Sequence, residues 1–356
     1  MLNHAKQCGI TQTVLQQTAD SGDTSLFLAA TFGHQEVLET LLEFAEQIGI
    51  ADVILQQPNN QSATPLLIAA NKGHHAVVDT LLKYAKQCGI TREILQKSSD
   101  LGVTPLLTAA AFGHQAIVET VLVFAKQATV AEFILKQPDN QGATPLLMAA
   151  DKGEHTVVDI LLNHAEKCGI TQAVLQKAND DGYTPLFLAA GYGYQTIVET
   201  LLSFAKEAGI SKDILQQKNN QGATPLSIAI DEGHYSVVTT LLSYAEKLGI
   251  TQVVLQQCTP QGLTALRVAA ENNQLTVVKT LLSYTEKVQI SKKEVLQQTS
   301  NHGDTPLLAA MESGLLEQAC SNFADPTASA SAERSNSQHG VVGAAEREIR
   351  LTGQFK

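Results

Sequence analysis

Cysteine and histidine are the side chains here with most chemistry to offer, and their spacing argues against its use. Cys8, Cys88 and Cys168 share one register, 80 residues apart, in which other copies carry Ile48, Ala128, Ala208 and Leu248. That substitution pattern predicts a small apolar packing position rather than a ligand or a disulfide. None of the five cysteines forms a C-x-x-C pair, so redox and zinc-ribbon chemistry lack their usual signature. His34, His74, His114 and His234 each follow a glycine, a recurrence that predicts a structural role. His75 and His155 open helices and are expected at the surface. No H-E-x-x-H motif and no zinc-like Cys/His spacing occurs. Gly191-Tyr192-Gly193 lacks the third glycine of a nucleotide loop and follows a helix rather than a strand. The reading is of no enzyme: no catalytic, metal or cofactor residues are assigned.

What does recur is the chemistry of binding. At 40-residue steps, Phe32, Phe112 and Tyr192 alternate with Lys72, Lys152 and Glu232. A second register alternates with it: Asp23, Val103 and Tyr183 in one set, Ala63, Ala143 and Ala223 in the other. Aromatic side chains among charged neighbours are the usual anchors of a protein interface. At this position an aromatic can equally turn inward and cover the seam between units. The 80-residue alternation points to duplication of a pair of units, a pattern the last two units lose.

The elements that position these residues follow from the period. Thr-Pro recurs at Thr64-Pro65, Thr104-Pro105, Thr144-Pro145, Thr184-Pro185, Thr224-Pro225 and Thr305-Pro306, with Thr24-Ser25 and Thr264-Ala265 in the remaining slots. The spacing is 40 residues, with one extra residue before Thr305. A fixed period of that size means a stacked array. Thr64 is suited to N-cap a helix, and Pro65 to its first turn, where a missing N–H costs nothing. The apolar run Leu66-Leu67-Ile68-Ala69-Ala70 makes a short first helix ending near Lys72-Gly73. A second helix is predicted from about His75 to Cys88, with Val77, Val78, Leu81, Leu82 and Ala85 at helical spacing. Gly89-Ile90 supplies a Schellman ending. Thr91 is placed to cap a third, very short helix carrying Ile94-Leu95, and a polar turn such as Pro58-Asn59-Asn60-Gln61 leads to the next threonine.

The runs Gly142-Ala143-Thr144-Pro145-Leu146-Leu147-Met148-Ala149-Ala150 and Gly73-His74-His75-Ala76-Val77-Val78-Asp79-Thr80-Leu81-Leu82 resemble the two halves of the ankyrin repeat signature. The resemblance covers residues 1 to about 320. It implies an all-α, ankyrin-type helical-repeat solenoid of about eight units. There are two departures: ankyrin units usually run about 33 residues, and the signature histidine of Thr-Pro-Leu-His is replaced by Phe27, Leu67, Leu107, Leu147, Phe187, Ser227, Arg267 and Leu308. Apolar packing must stand in for it. A three-helix armadillo array has a similar period but does not account for Thr-Pro-Leu or Gly-His. In ankyrin proteins the end of the first helix and the turn before it line a concave binding face. By that resemblance the face holds Phe32, Lys72, Val103, Phe112, Lys152, Tyr183, Tyr192 and Glu232, and the partner is another protein.

Boundaries follow the period: an array over 1–320, with a partial unit 1–22 and units beginning near 23, 63, 103, 143, 183, 223, 263 and 304, then a disordered tail over 321–356. Leu2-Asn3-His4-Ala5 matches Leu162-Asn163-His164-Ala165, which places the start partway through a unit and suggests a fragment of a longer array, the alternative being that the short segment 1–17 serves as an improvised cap. The tail is rich in Ser and Ala without an apolar period. A net charge of −11 disfavours nucleic acid and anionic membranes as partners. No stretch approaches the roughly 20 apolar residues of a membrane span. The expectation is an intracellular, monomeric scaffold that holds a protein. The alternative is a segment that recruits substrate for a larger enzyme or a delivered effector.

Overall fold

Each unit begins with a local bond. The hydroxyl of Thr64 accepts the backbone N–H of Leu67 at 3.2 Å, and the same bond recurs from Thr24, Thr104, Thr144, Thr184, Thr224 and Thr264. It satisfies one of the orphan donors of a helix start, an interaction worth about 1 kcal/mol. In this computed structural model, which describes residues 11–258 and 262–289, those caps start seven first helices. They span Ser25–Thr31, Pro65–Asn71, Pro105–Ala111, Pro145–Lys152, Pro185–Gly191, Pro225–Asp231 and Ala265–Glu271.

A tight turn with a left-handed residue, such as Gly73 at φ +76, leads into a 13-residue second helix. These helices span Gln35–Gln47, His75–Gln87, Gln115–Gln127, His155–Lys167, Gln195–Glu207, Tyr235–Lys247 and Leu275–Lys287. The third helices are Thr11–Gln16, Ala51–Gln56, Thr91–Gln96, Ala131–Lys136, Thr171–Gln176, Ser211–Gln216 and Thr251–Gln256. First helices pack on first helices and second on second, unit after unit. Each third helix from Ala51–Gln56 onward packs beneath its own second helix and the second helix that follows.

The core is correspondingly repetitive. Leu66, Leu67, Ala69 and Ala70 of a first helix, Val77, Val78, Leu81, Leu82 and Ala85 of a second, and Ile94 and Leu95 of a third are all buried. The paired alanines expose almost no area, so first helices approach closely without a gap. The residues replacing the signature histidine do pack: Phe27, Leu67, Leu107, Leu147 and Phe187 are buried. Ser227 instead closes a reciprocal cap, its hydroxyl accepting from the Thr224 N–H at 2.8 Å.

One local expectation changes. Thr91 is the first helical residue rather than the cap; Ile90 holds the cap position and makes no side-chain bond. Thr91 itself is buried. Where other units use glycine to end the second helix, Thr129 takes the left-handed conformation at φ +58. The unit predicted near 304, the first ten residues and the 321–356 tail lie outside the described residues.

Candidate protein-binding surface

The first helices all end on the same side of the row, and that side carries the alternating register. Phe32, Lys72, Phe112, Tyr192 and Glu232 are the C-cap residues of their helices, and Lys152 is the last residue of its helix. All six are exposed. Phe32 is 64% exposed, and Phe112 and Tyr192 are each 44% exposed. The rings do not sink into the seam because the residue two positions later supports them from below. Phe32 stacks on His34, Phe112 on His114 and Tyr192 on Tyr194, with centroids 6.0, 6.1 and 5.8 Å apart. Lys152 is partnered by Asp151 at 3.1 Å.

Val103 and Tyr183 do not join this surface. Both are buried, and the turn that precedes each threonine explains why. The Asn179 side-chain oxygen accepts the N–H groups of Asp181 and Tyr183, while the Asn179 N–H donates to the Tyr183 carbonyl. The closed turn tips the Tyr183 ring inward, where it stacks on Phe187 with centroids 5.0 Å apart. Of the eight residues assigned to the face, six are at the surface together and these two belong to the packing.

The histidines after glycine have a structural role, and it spans units. The Nε2 atoms of His74, His114 and His234 lie 3.1, 3.2 and 2.9 Å from the carbonyl oxygens of Thr31, Asn71 and Gly191. A carbonyl only accepts, so each Nε2 carries the proton and donates to the last carbonyls of the preceding first helix. Gln274 does the same to Ile230 through its amide at 2.6 Å. Glu154 and Tyr194 take this register in their own units. Second-helix histidines bond outward: His75 and His155 reach the hydroxyls of Thr120 and Thr200.

A polar ladder runs along the turns. The Asn60, Asn140 and Asn220 side chains donate to the carbonyls of Asp20, Asp100 and Asp180, one unit back in each case. Asp139 closes its turn by accepting from Gln141 and Ala143. Burial raises its carboxyl above the ordinary value, against the lowering effect of those two N–H groups. The cysteine register is not core: Cys168 is exposed and Cys88 partly so, because the residue caps the second helix at its outer end. Burial nonetheless pushes the Cys88 thiol up, away from a reactive thiolate. Among the described residues, no group of three or more His, Cys, Asp or Glu could hold a metal ion, and no helix is long and apolar enough to cross a membrane.

The family whose sequence profile is described as ankyrin repeats (3 copies) matches overlapping stretches at residues 2–93, 45–130, 85–172, 121–214 and 168–252. The chain belongs to the ankyrin-repeat family. Among solved structures, it is similar to the ankyrin repeat domain of Bcl-3, described as a unique member of the IkappaB protein family. The sequences are 25% identical, the TM-score is 0.54, and the likeness covers 70% of this chain and 94% of that one. No curated protein matches. Ankyrin repeats are in general protein–protein interaction modules, and the fold is that of a non-catalytic scaffold.

The alternating aromatic row and the histidine register stand out in the sequence, but neither the row's exposure nor the partner of each histidine does. Nothing in the spacing said that the histidine of one unit bonds the helix end of the unit before it. The signal available was indirect: polar side chains Glu154, Tyr194 and Gln274 share the register of His74.

Proposed function

We propose that this ankyrin array is a scaffold that holds a partner protein across the ends of its first helices. Phe32, Phe112 and Tyr192 act as the apolar anchors, and Lys72, Lys152 and Glu232 set the charge of the intervening positions. The observation that carries this reading is the exposure of three aromatic rings in one register, each braced from below by a stacked side chain. A braced ring loses little freedom on binding, which favours its use as a hot spot. The charged residues between anchors discriminate among partners more than they add affinity. The partner is engaged in the cell interior, as a monomeric array presents it.

The test is capture of partners by the intact chain and by a Phe32→Ala/Phe112→Ala/Tyr192→Ala variant. The expected outcome is loss of the captured protein with a melting temperature close to that of the parent. A variant that retains its partners at full yield rules out this surface, and one that melts far lower shows the rings to be packing groups.

A further inference from the structure

Side chains tie neighbouring turns together at every second junction. Asn60, Asn140 and Asn220 donate to the Asp20, Asp100 and Asp180 carbonyls at 2.9, 2.8 and 2.7 Å. Gln57, Gln137 and Gln217 add a second bond, to the Gln16, Gln96 and Gln176 carbonyls at 3.2, 3.0 and 3.1 Å. At the two junctions between these, the asparagine register holds Asp100 and Asp180. A carboxylate has no proton to give. The turns there are joined by one backbone bond each, Asp100 N–H to Gln61 at 3.3 Å and Asp180 N–H to Gln141 at 3.1 Å. Lys97 adds a 3.3 Å bond to the Gln56 carbonyl at the first of them.

Asp180 keeps the place of an asparagine. Its Oδ1 would lie 2.8 Å from a Cβ on Gly142, as Asn140 Oδ1 would lie 2.6 Å from one on Gly102. The second carboxylate oxygen therefore stands where asparagine presents its NH2 group to a carbonyl, acceptor against acceptor. The Asp100 seam is wider still, because the facing residue is Ser62 at φ +58, whose Cβ occupies the room that glycine leaves in other turns. The same two junctions are tied instead at the far end of the first helices. His75 and His155 open their second helices and bond the hydroxyls of Thr120 and Thr200, in the next second helix, at 2.9 and 3.2 Å. Gln35, Gln115 and Gln195 hold that position in the alternate units and bond within their own helices, to Glu39, Glu119 and Glu199. These ties change edge from one junction to the next.

We infer that the turn edge is built to part at Gln61–Asp100 and at Gln141–Asp180 while the second helices stay tied, so that the array flexes as a chain of two-unit blocks. Within a block, asparagine and glutamine bonds hold the turns together. Between blocks, the units hinge about the histidine bond and the adjoining ends of the first helices. Phe112 and Tyr192 end first helices at that tied edge, so the turns move further than the exposed row does. The pair of units recognised in the sequence is then the mechanical element of the array.

The test is amide hydrogen exchange of the full chain by NMR, expressed as protection relative to the intrinsic rate at each residue. The Asp100 and Asp180 amides are expected to be protected about 10-fold less than those of Asn140 and Asn220. Second helices Gln115–Gln127 and Gln195–Glu207 are expected to match the protection of His155–Lys167, because the opening is confined to the turns. Asp180→Asn restores the missing donor and is expected to raise protection at position 180 to that of Asn140, with the second helices unchanged. Three results overturn the inference. Equal protection at the four turn positions in the parent chain means that the edge does not part. Protection as low through helices Pro105–Ala111 and Gln115–Gln127 as at Asp100 means that a whole unit unfolds instead. A folded Asp180→Asn chain with unchanged protection at position 180 means that the carboxylate is not the cause. Should that variant not fold, the comparison of the four turn amides in the parent chain decides.

Discussion

Gly73 and Gly89 end successive helices of one unit with the same backbone geometry. Their φ angles are +76 and +75, and both close the helix by a Schellman pair of bonds. Gly73 and His74 donate to Ala70 and Ala69, and Gly89 and Ile90 to Lys86 and Ala85. Their surroundings differ. A Cβ on Gly73 would come within 2.8 Å of the His114 ring of the next unit, whereas one on Gly89 would meet nothing within 4 Å. At Gly89 only the left-handed backbone asks for glycine. At Gly73 the missing side chain also leaves the room through which the next histidine reaches the carbonyl of Asn71. One glycine ends a helix; the other ends a helix and joins two units.

The largest test of that difference is Gly73→Ala. Left-handed strain of about 1–2 kcal/mol adds to crowding of the imidazole, giving an expected loss of about 2–4 kcal/mol in urea unfolding. Gly89→Ala should lose about 1 kcal/mol, from strain alone. Equal losses at the two positions would break the comparison.

Next in size is the histidine itself. His114→Ala removes the donor to Asn71 and should cost about 1–2 kcal/mol. Phe112→Ala, two residues away on the exposed row, should change stability by about 0.5 kcal/mol or less. A calorimetric scan of the two variants separates junction from surface.

The open glycine row can be improved where it departs from glycine. Thr129→Gly relieves a β-branched residue at φ +58 and should raise stability by about 1 kcal/mol. The weak bond from Arg92 to the Thr129 hydroxyl, at 3.2 Å on the exposed surface, offsets only a small part of this. A further small gain is expected at Glu154. Its carboxylate lies over Gly113, near the carbonyl end of helix Pro105–Ala111, where a negative charge is unfavourable. Glu154→His restores a donor for that helix end and should stabilise by about 0.5–1 kcal/mol. Unchanged stability would show that the register tolerates any side chain that fills it, and a loss that the carboxylate is preferred there.

Most of the fold is legible in the sequence. The Thr-Pro starts, the Leu-Leu-x-Ala-Ala runs and the Gly-Ile endings placed the helices to within a residue or so, because each depends on residues three to five apart in the chain. The candidate surface was only partly readable. Phe32, Phe112 and Tyr192 stood out by their alternation, yet nothing in their spacing told an outward ring from one lying in a seam. Val103 and Tyr183 alternated just as regularly and are buried, because turns closed by backbone bonds from the Ser99 N–H to the Val103 carbonyl and from the Asn179 N–H to the Tyr183 carbonyl fold them under the next helix.

By itself the sequence determined the period, the three helices of each unit and the caps that bound them. These are short-range consequences of backbone hydrogen bonding and of a threonine, proline or glycine at a particular step. Tertiary structure decided which glycine is crowded and which is free, which aromatics face solvent, and which histidine bonds which carbonyl. Those outcomes depend on a side chain about 40 residues away, brought alongside only when one unit stacks on the next.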